Sequence, residues 1–234
     1  MLSLPQNCSE GAQATQSRIA QACLAASRSV DSVTLLAVSK GQSSAAIDSA
    51  SRAGIENFGE NFLQESLPKI ESLQGRELTW HFIGRLQANK TRPVAENFAW
   101  VHTVDRLKIA ERLSAQRPLD ALPLNVCLQL HVGGESSKGG AEPADIAPLA
   151  MAVRDLPRIR LRGLMCMPPA ETEVKRQREW FRETRQVFDY LNERGLALDT
   201  LSMGTSADFE AAIAEGATIV RVGTAIFGPR APQP

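Results

Sequence analysis

A chain of 234 residues with 26 basic and 26 acidic side chains has a formal net charge of zero, so no overall field draws it to nucleic acid or to an anionic membrane. That length suits one α/β barrel, and residues 1–234 are read as a single domain. Cys8, Cys23, Cys127 and Cys166 lie far apart with no C-x-x-C pair, which argues against a zinc site or a secreted disulfide framework and fits a reducing compartment.

The start, Met1-Leu2-Ser3-Leu4-Pro5, lacks a basic leader, and no apolar run approaches bilayer length, so a soluble cytoplasmic protein is expected. Residues 8–28 read as a leading helix. After it, strand-length apolar runs at 33–39, 55–58, 78–83, 99–103, 123–131, 159–165, 198–202 and 218–222 alternate with helical patterns. That alternation implies a parallel sheet, and eight such units with short loops favour a closed (β/α)8 barrel over an open doubly wound sheet. Nucleotide-binding α/β folds lose weight, because neither G-x-G-x-x-G after the first strand nor G-x-x-x-x-G-K-[ST] is present.

In such a barrel the reactive groups sit at strand C-termini, and phosphate is commonly held after strands seven and eight. The first strand carries Leu35-Leu36-Ala37-Val38 and delivers Lys40 to that face. Desolvation disfavours an ammonium, and the neutral amine makes Schiff bases with aldehydes such as pyridoxal phosphate; a solvated boundary charge is the plainer reading. Asn61 follows strand two, where a turn residue is the plain alternative to a ligand contact. Arg85 follows strand three, Asp105 strand four, and Ser137 and Lys138 strand five, while Met165 ends strand six. His81, inside an apolar strand, reads as a satisfied core histidine with its role open. The glycine-rich stretch 133–140 is a surface loop or a lid over the mouth, with Lys138 as a second candidate amine. The run Lys175-Arg176-Gln177-Arg178 opens an amphipathic helix and reads as a solvated face.

Ser202-Met203-Gly204-Thr205-Ser206-Ala207-Asp208 leaves strand seven. Thr205 with Asp208 matches a capping box, and Ser206 with nearby N–H groups can alternatively face a phosphate. Strand eight ends in Arg221-Val222-Gly223-Thr224-Ala225-Ile226-Phe227-Gly228, where Gly223 permits close backbone approach and Thr224 offers a hydroxyl at a helix start. Arg221 is expected in the barrel mouth, either paired with a carboxylate or facing a pyridine nitrogen. In the second case its high pKa keeps the ring unprotonated and a weak electron sink.

Taken together, Val38-Ser39-Lys40, Phe58-Gly59-Glu60-Asn61, His81-Phe82-Ile83-Gly84 with Leu86-Gln87 and Asn89-Lys90, Gly163-Leu164-Met165, Leu201-Ser202-Met203-Gly204 with Ser206-Ala207-Asp208, and Arg221 through Gly228 resemble the pyridoxal phosphate homeostasis protein family (YggS/PROSC). The likeness spans about residues 10–230 and departs from the family pattern at Gly41-Gln42-Ser43, at Thr205 and at His131-Val132-Gly133-Gly134. It implies a TIM barrel of the alanine racemase N-terminal-domain type with an extra N-terminal helix, binding pyridoxal phosphate. Carried over by position, Lys40 forms the Schiff base, Ser206, Gly223 and Thr224 hold phosphate, Arg221 faces the ring nitrogen and Asn61 contacts the cofactor.

A racemase on this fold needs a base on each face of the substrate carbon, the second being a tyrosine from an added β domain. Here the chain ends soon after Gly228, and its one tyrosine, Tyr190, lies in an amphipathic helix. The expectation is therefore a monomeric carrier in vitamin B6 homeostasis, exchanging cofactor with dependent apoenzymes and lacking robust catalysis. The alternatives are a racemase-like amino-acid enzyme and an aldolase-like barrel using Lys40 on a sugar phosphate.

Overall fold

The computed structural model describes residues 8–134 and 139–229. Eight parallel strands, β1 (Thr34–Val38), β2 (Asn57–Glu60), β3 (Thr79–Phe82), β4 (Trp100–Val104), β5 (Leu124–Leu130), β6 (Ile159–Cys166), β7 (Thr200–Thr205) and β8 (Ile219–Val222), pair in chain order and close when β8 pairs with β1. The connections carry α2 (Ser44–Arg52), α3 (Leu63–Ser72), α4 (Thr91–Asn97), α5 (Leu107–Gln116), α6 (Pro143–Arg154), α7 (Val174–Glu193) and α8 (Phe209–Ala214), and the short α9 (Thr224–Phe227) follows β8. The expected (β/α)8 TIM barrel is thus the observed fold, and α1 (Cys8–Ala25) is the extra leading helix.

Helix α1 stops three residues before the expected 28, because Ser27 takes a left-handed φ of 54° and Arg28 N–H turns back to the Cys23 carbonyl at 2.8 Å. Arg28 then caps the far end of α8, donating from Nη1 to the carbonyls of Ile213 and Ala217. Arg18 stacks on the Phe209 ring at 4.5 Å and pairs with Glu210. The leading helix is therefore fastened to the element that follows β7.

The continuous apolar core lies between the sheet and its helices: Ala37, Phe58, Trp80, Phe82, Val101 and Val126 pack outward against residues such as Ile47, Val94, Ile109 and Leu113. The barrel interior is different. Its contacts cross between strands that are not neighbours in the sheet, from His102 on β4 to Ser202 on β7 and from Arg221 on β8 to the Cys166 carbonyl on β6. A lumen that mixes these polar groups with Leu36, Cys127 and Met165 departs from the bulky branched filling usual in such barrels.

This explains where strand boundaries differ from the apolar runs. β2 begins at Asn57, two residues after the expected 55, and continues to Glu60, because both polar ends of the strand have buried partners: Asn57 bonds His81 and Glu60 bonds Lys69. β7 runs from Thr200 to Thr205 instead of 198–202; Leu198 is buried but precedes the ladder. Between Ser202 and Thr205 the β7–β8 register shifts, a local irregularity of the kind that re-aims chain at a strand exit.

Candidate functional site

At the C-terminal mouth of the barrel a cavity of about 320 Å³ is lined by all six residues singled out from the sequence, Lys40, Asn61, Ser206, Arg221, Gly223 and Thr224, together with Val38, Gln42, Ile83, Met167, Thr205, Ala207 and Gly228. Other strand-end candidates do not line it. Arg85 is exposed, and Asp105 pairs with its neighbour Arg106 at 2.6 Å. Met165 is 1 % exposed within β6, and Met167, two residues on, lines the cavity in its place. Ser137, Lys138 and the centre of the candidate lid fall outside the described residues.

Lys40 occupies a turn pinned from several sides. Ser39 N–H donates to the Gly59 carbonyl at 3.0 Å, Gln42 N–H returns to the Ser39 carbonyl at 3.0 Å, and Gly41 N–H donates to Glu65 Oε2 at 2.9 Å. Gly41 has φ 72°, a conformation that costs a side-chain-bearing residue. Ser43 then caps α2, its Oγ accepting from Ala46 N–H, so a serine cap closes the loop where the family pattern differs.

Beneath that turn lies an ion pair that the sequence reading did not anticipate. Lys69 Nζ donates to Glu60 Oε1 at 2.8 Å and to the Ser39 carbonyl at 2.9 Å, while Ser39 Oγ donates to Glu60 Oε1 at 2.6 Å. Burial pushes the Glu60 carboxyl above the usual range, and the bonds from Lys69 and Ser39 pull the other way. The available signal was the i, i+4 spacing of Glu65 and Lys69 on α3, indistinguishable in sequence from a surface pair.

The second wall comes from β7 and β8. Asp208 Oδ1 accepts from both the N–H and the hydroxyl of Thr205, at 2.6 and 2.8 Å. The expected capping box is thus half realised: the carboxylate reaches back, but Thr205 stays in β7 and α8 begins only at Phe209. Ser206 Oγ accepts from Gly223 N–H at 3.2 Å, tying the two strand exits together. Thr224 is exposed at the first position of α9 and lines the cavity, and the N-cap before it is Gly223, which has no side chain to cap the turn.

Arg221 is held by backbone and hydroxyl oxygens. No carboxylate pairs with it among the described residues. Nη1 bonds the Ser202 carbonyl at 2.5 Å and Ser202 Oγ at 2.9 Å, and Nη2 bonds the Cys166 carbonyl at 2.8 Å. Three of five guanidinium N–H donors are used, leaving two on a buried cation at the cavity wall. Its pKa is lowered, by burial first, with Cys166, Asp208 and Cys127 opposing. Asn61 Oδ1 is buried and has no hydrogen-bond partner, and Asn61 is wedged by Gly84, where any Cβ would overlap the Asn61 carbonyl. A buried cation with donors to spare and an unsatisfied amide on one cavity call for a ligand carrying acceptors and a donor or bridging water.

The family model of the alanine racemase N-terminal domain matches residues 15–231. The pyridoxal phosphate homeostasis protein of Pseudomonas aeruginosa is 56% identical over 213 residues, covering 91% of both chains. That of Escherichia coli K12 is 50% identical over 216 residues, covering 91% of this chain and 92% of the relative. Among solved structures, PipY of Synechococcus elongatus with PLP bound superposes with a TM-score of 0.80 at 37% identity, over 90% of this chain and all of PipY.

Proposed function

Since the chain belongs to the pyridoxal phosphate homeostasis protein family, we propose that it binds pyridoxal phosphate at the barrel mouth, covalently through Lys40, and serves intracellular vitamin B6 homeostasis. The observation that carries this reading is the convergence of Lys40, Asn61, Ser206, Arg221, Gly223 and Thr224 on one cavity. The cofactor, when bound, would supply an aldehyde, and Lys40 would be the amine positioned to hold it covalently. Ser206, Thr224 and the backbone at Gly223 would hold the phosphate, Arg221 would meet the ring nitrogen, and Asn61 would contact a ring substituent. The bound group of PipY supports the assignment of the ligand.

The protein holds the cofactor and does not turn over an amino acid. Among the described residues lining the cavity, Lys40 and Arg221 are the only ionisable side chains; no His, Tyr, Asp or Glu stands there as a second base. Tyr190 is on α7 beneath the Arg194 guanidinium, and His81 is committed to bonds inside the barrel. No described helix is long and apolar enough to cross a membrane. The reading places a monomer in the cytoplasm, exchanging cofactor with apoenzymes that depend on it.

Borohydride reduction followed by peptide mass spectrometry tests the covalent link: label on Lys40, and its loss in Lys40→Ala with residual noncovalent binding, is expected. Label on Lys138 instead would overturn the assignment. Sustained conversion of an amino acid by wild type, abolished in Lys40→Ala, would overturn the carrier reading. Transfer to a dependent apoenzyme in the presence of a scavenger of free cofactor tests delivery.

A further inference from the structure

Below the cavity a chain of hydrogen bonds crosses the barrel. Arg221 Nη1 donates to Ser202 Oγ at 2.9 Å, Ser202 Oγ lies 2.7 Å from His102 Nδ1, His102 Nε2 lies 2.9 Å from His81 Nδ1, and His81 Nε2 lies 3.0 Å from Asn57 Oδ1. The Asn57 end fixes its direction, and the Ser202 hydroxyl at the other end can accept from Arg221 while donating to His102. An amide oxygen only accepts, and each neutral imidazole has one donor and one acceptor. The Ser202 hydroxyl therefore donates to His102, His102 donates from Nε2 to His81, and His81 donates from Nε2 to Asn57.

The surroundings keep that arrangement. Burial lowers His81 to about 3 and His102 well below the usual histidine range, with His81 and Arg221 adding to the effect of burial at His102. The Trp100 ring stacks on His81 with centroids 5.4 Å apart and planes 7° from parallel, which opposes rotation of the imidazole. At the other end the Ser202 hydroxyl, oriented by its bond to His102, turns its lone pair to Arg221, while the Ser202 carbonyl takes the second Nη1 proton.

We propose that Ser202, His102 and His81 are positioning residues: a one-way hydrogen-bonded strut, anchored on Asn57, that holds the Arg221 guanidinium so its two remaining donors face the cavity and keep a pyridine nitrogen there unprotonated. The ring-nitrogen consequence rests on the pyridoxal phosphate reading. The strut does not.

The experiment has two arms. In the wild-type protein without cofactor, ¹⁵N side-chain spectra are expected to show both His81 and His102 as neutral Nε2–H tautomers down to about pH 5, where a free imidazole is charged. An Nδ1–H tautomer at either residue, or a cation at about pH 6, overturns the strut. In the second arm, protein loaded with ring-¹⁵N pyridoxal phosphate is expected to show an unprotonated, hydrogen-bonded nitrogen. Ser202→Ala and His102→Phe should move that resonance and weaken cofactor retention about tenfold, and His102→Gln, which still accepts and donates, should restore it in part. Variants that melt like wild type yet leave resonance and retention unchanged overturn the proposal. If wild type takes up no cofactor, the functional reading fails, and the tautomers alone decide on the strut.

Discussion

Replacing Lys69 with methionine tests whether the ion pair under the Lys40 turn stabilises the fold. The substitution keeps the aliphatic stem and removes the ammonium, so Glu60, itself 0% exposed, retains only the Ser39 hydroxyl. Its Oε2 already lacks a partner, so little remains to offset ionisation. Removing one member of a buried pair costs about 3–5 kcal/mol, whereas an exposed pair is worth about 0–1; the Lys69 side chain is 10% exposed, so the larger figure applies. The sign with pH follows from Glu60. Its carboxyl is raised in the folded protein, so the native state binds more protons than the unfolded chain between the two pKa values, and stability falls as pH rises through that window. Without Lys69 the window extends upward. Urea unfolding should therefore show the full loss at about pH 8, a smaller loss as pH falls toward the unfolded carboxyl value of about 4.3, and recovery when Glu60→Gln is added. A loss under about 1 kcal/mol, or one independent of pH, would refute the argument.

Ser206→Ala and Thr224→Ala should each weaken cofactor retention by about three- to tenfold while moving the melting temperature by only a few degrees, checked by titration beside thermal melts; the reverse ranking would mark them as structural caps. Gly84→Ala drives a methyl into the Asn61 carbonyl and should cost about 1–3 kcal/mol, with loss of cofactor retention as Asn61 shifts; calorimetry and titration on one sample would show whether the two effects travel together.

The alternation of apolar runs with helical patterns made the barrel legible, because each strand needs an apolar outer face to meet its helix whatever its inner face carries. It left β2 misplaced, since the run stopping at Phe58 hides the fact that Glu60 is as buried as any leucine. The six cavity residues were legible because strand ends in this fold share one rim, so placing each at an exit already gathered them. Lys69 and His102 were not. Their importance lies in partners 9 and 30 residues away in one case and 21 and 100 in the other, and nothing local separates a buried Lys from a surface one before the chain is folded.

Lys40 hangs from the first strand and Arg221, Gly223 and Thr224 from the last, and those strands meet only at the β1–β8 seam. The cavity they line therefore does not exist until β8 has been made and has returned to β1, and a cofactor held there could load only after that join. A guest held from both strands would span that join and work as a clasp: it should resist unzipping there by an amount that grows with the logarithm of free vitamer concentration.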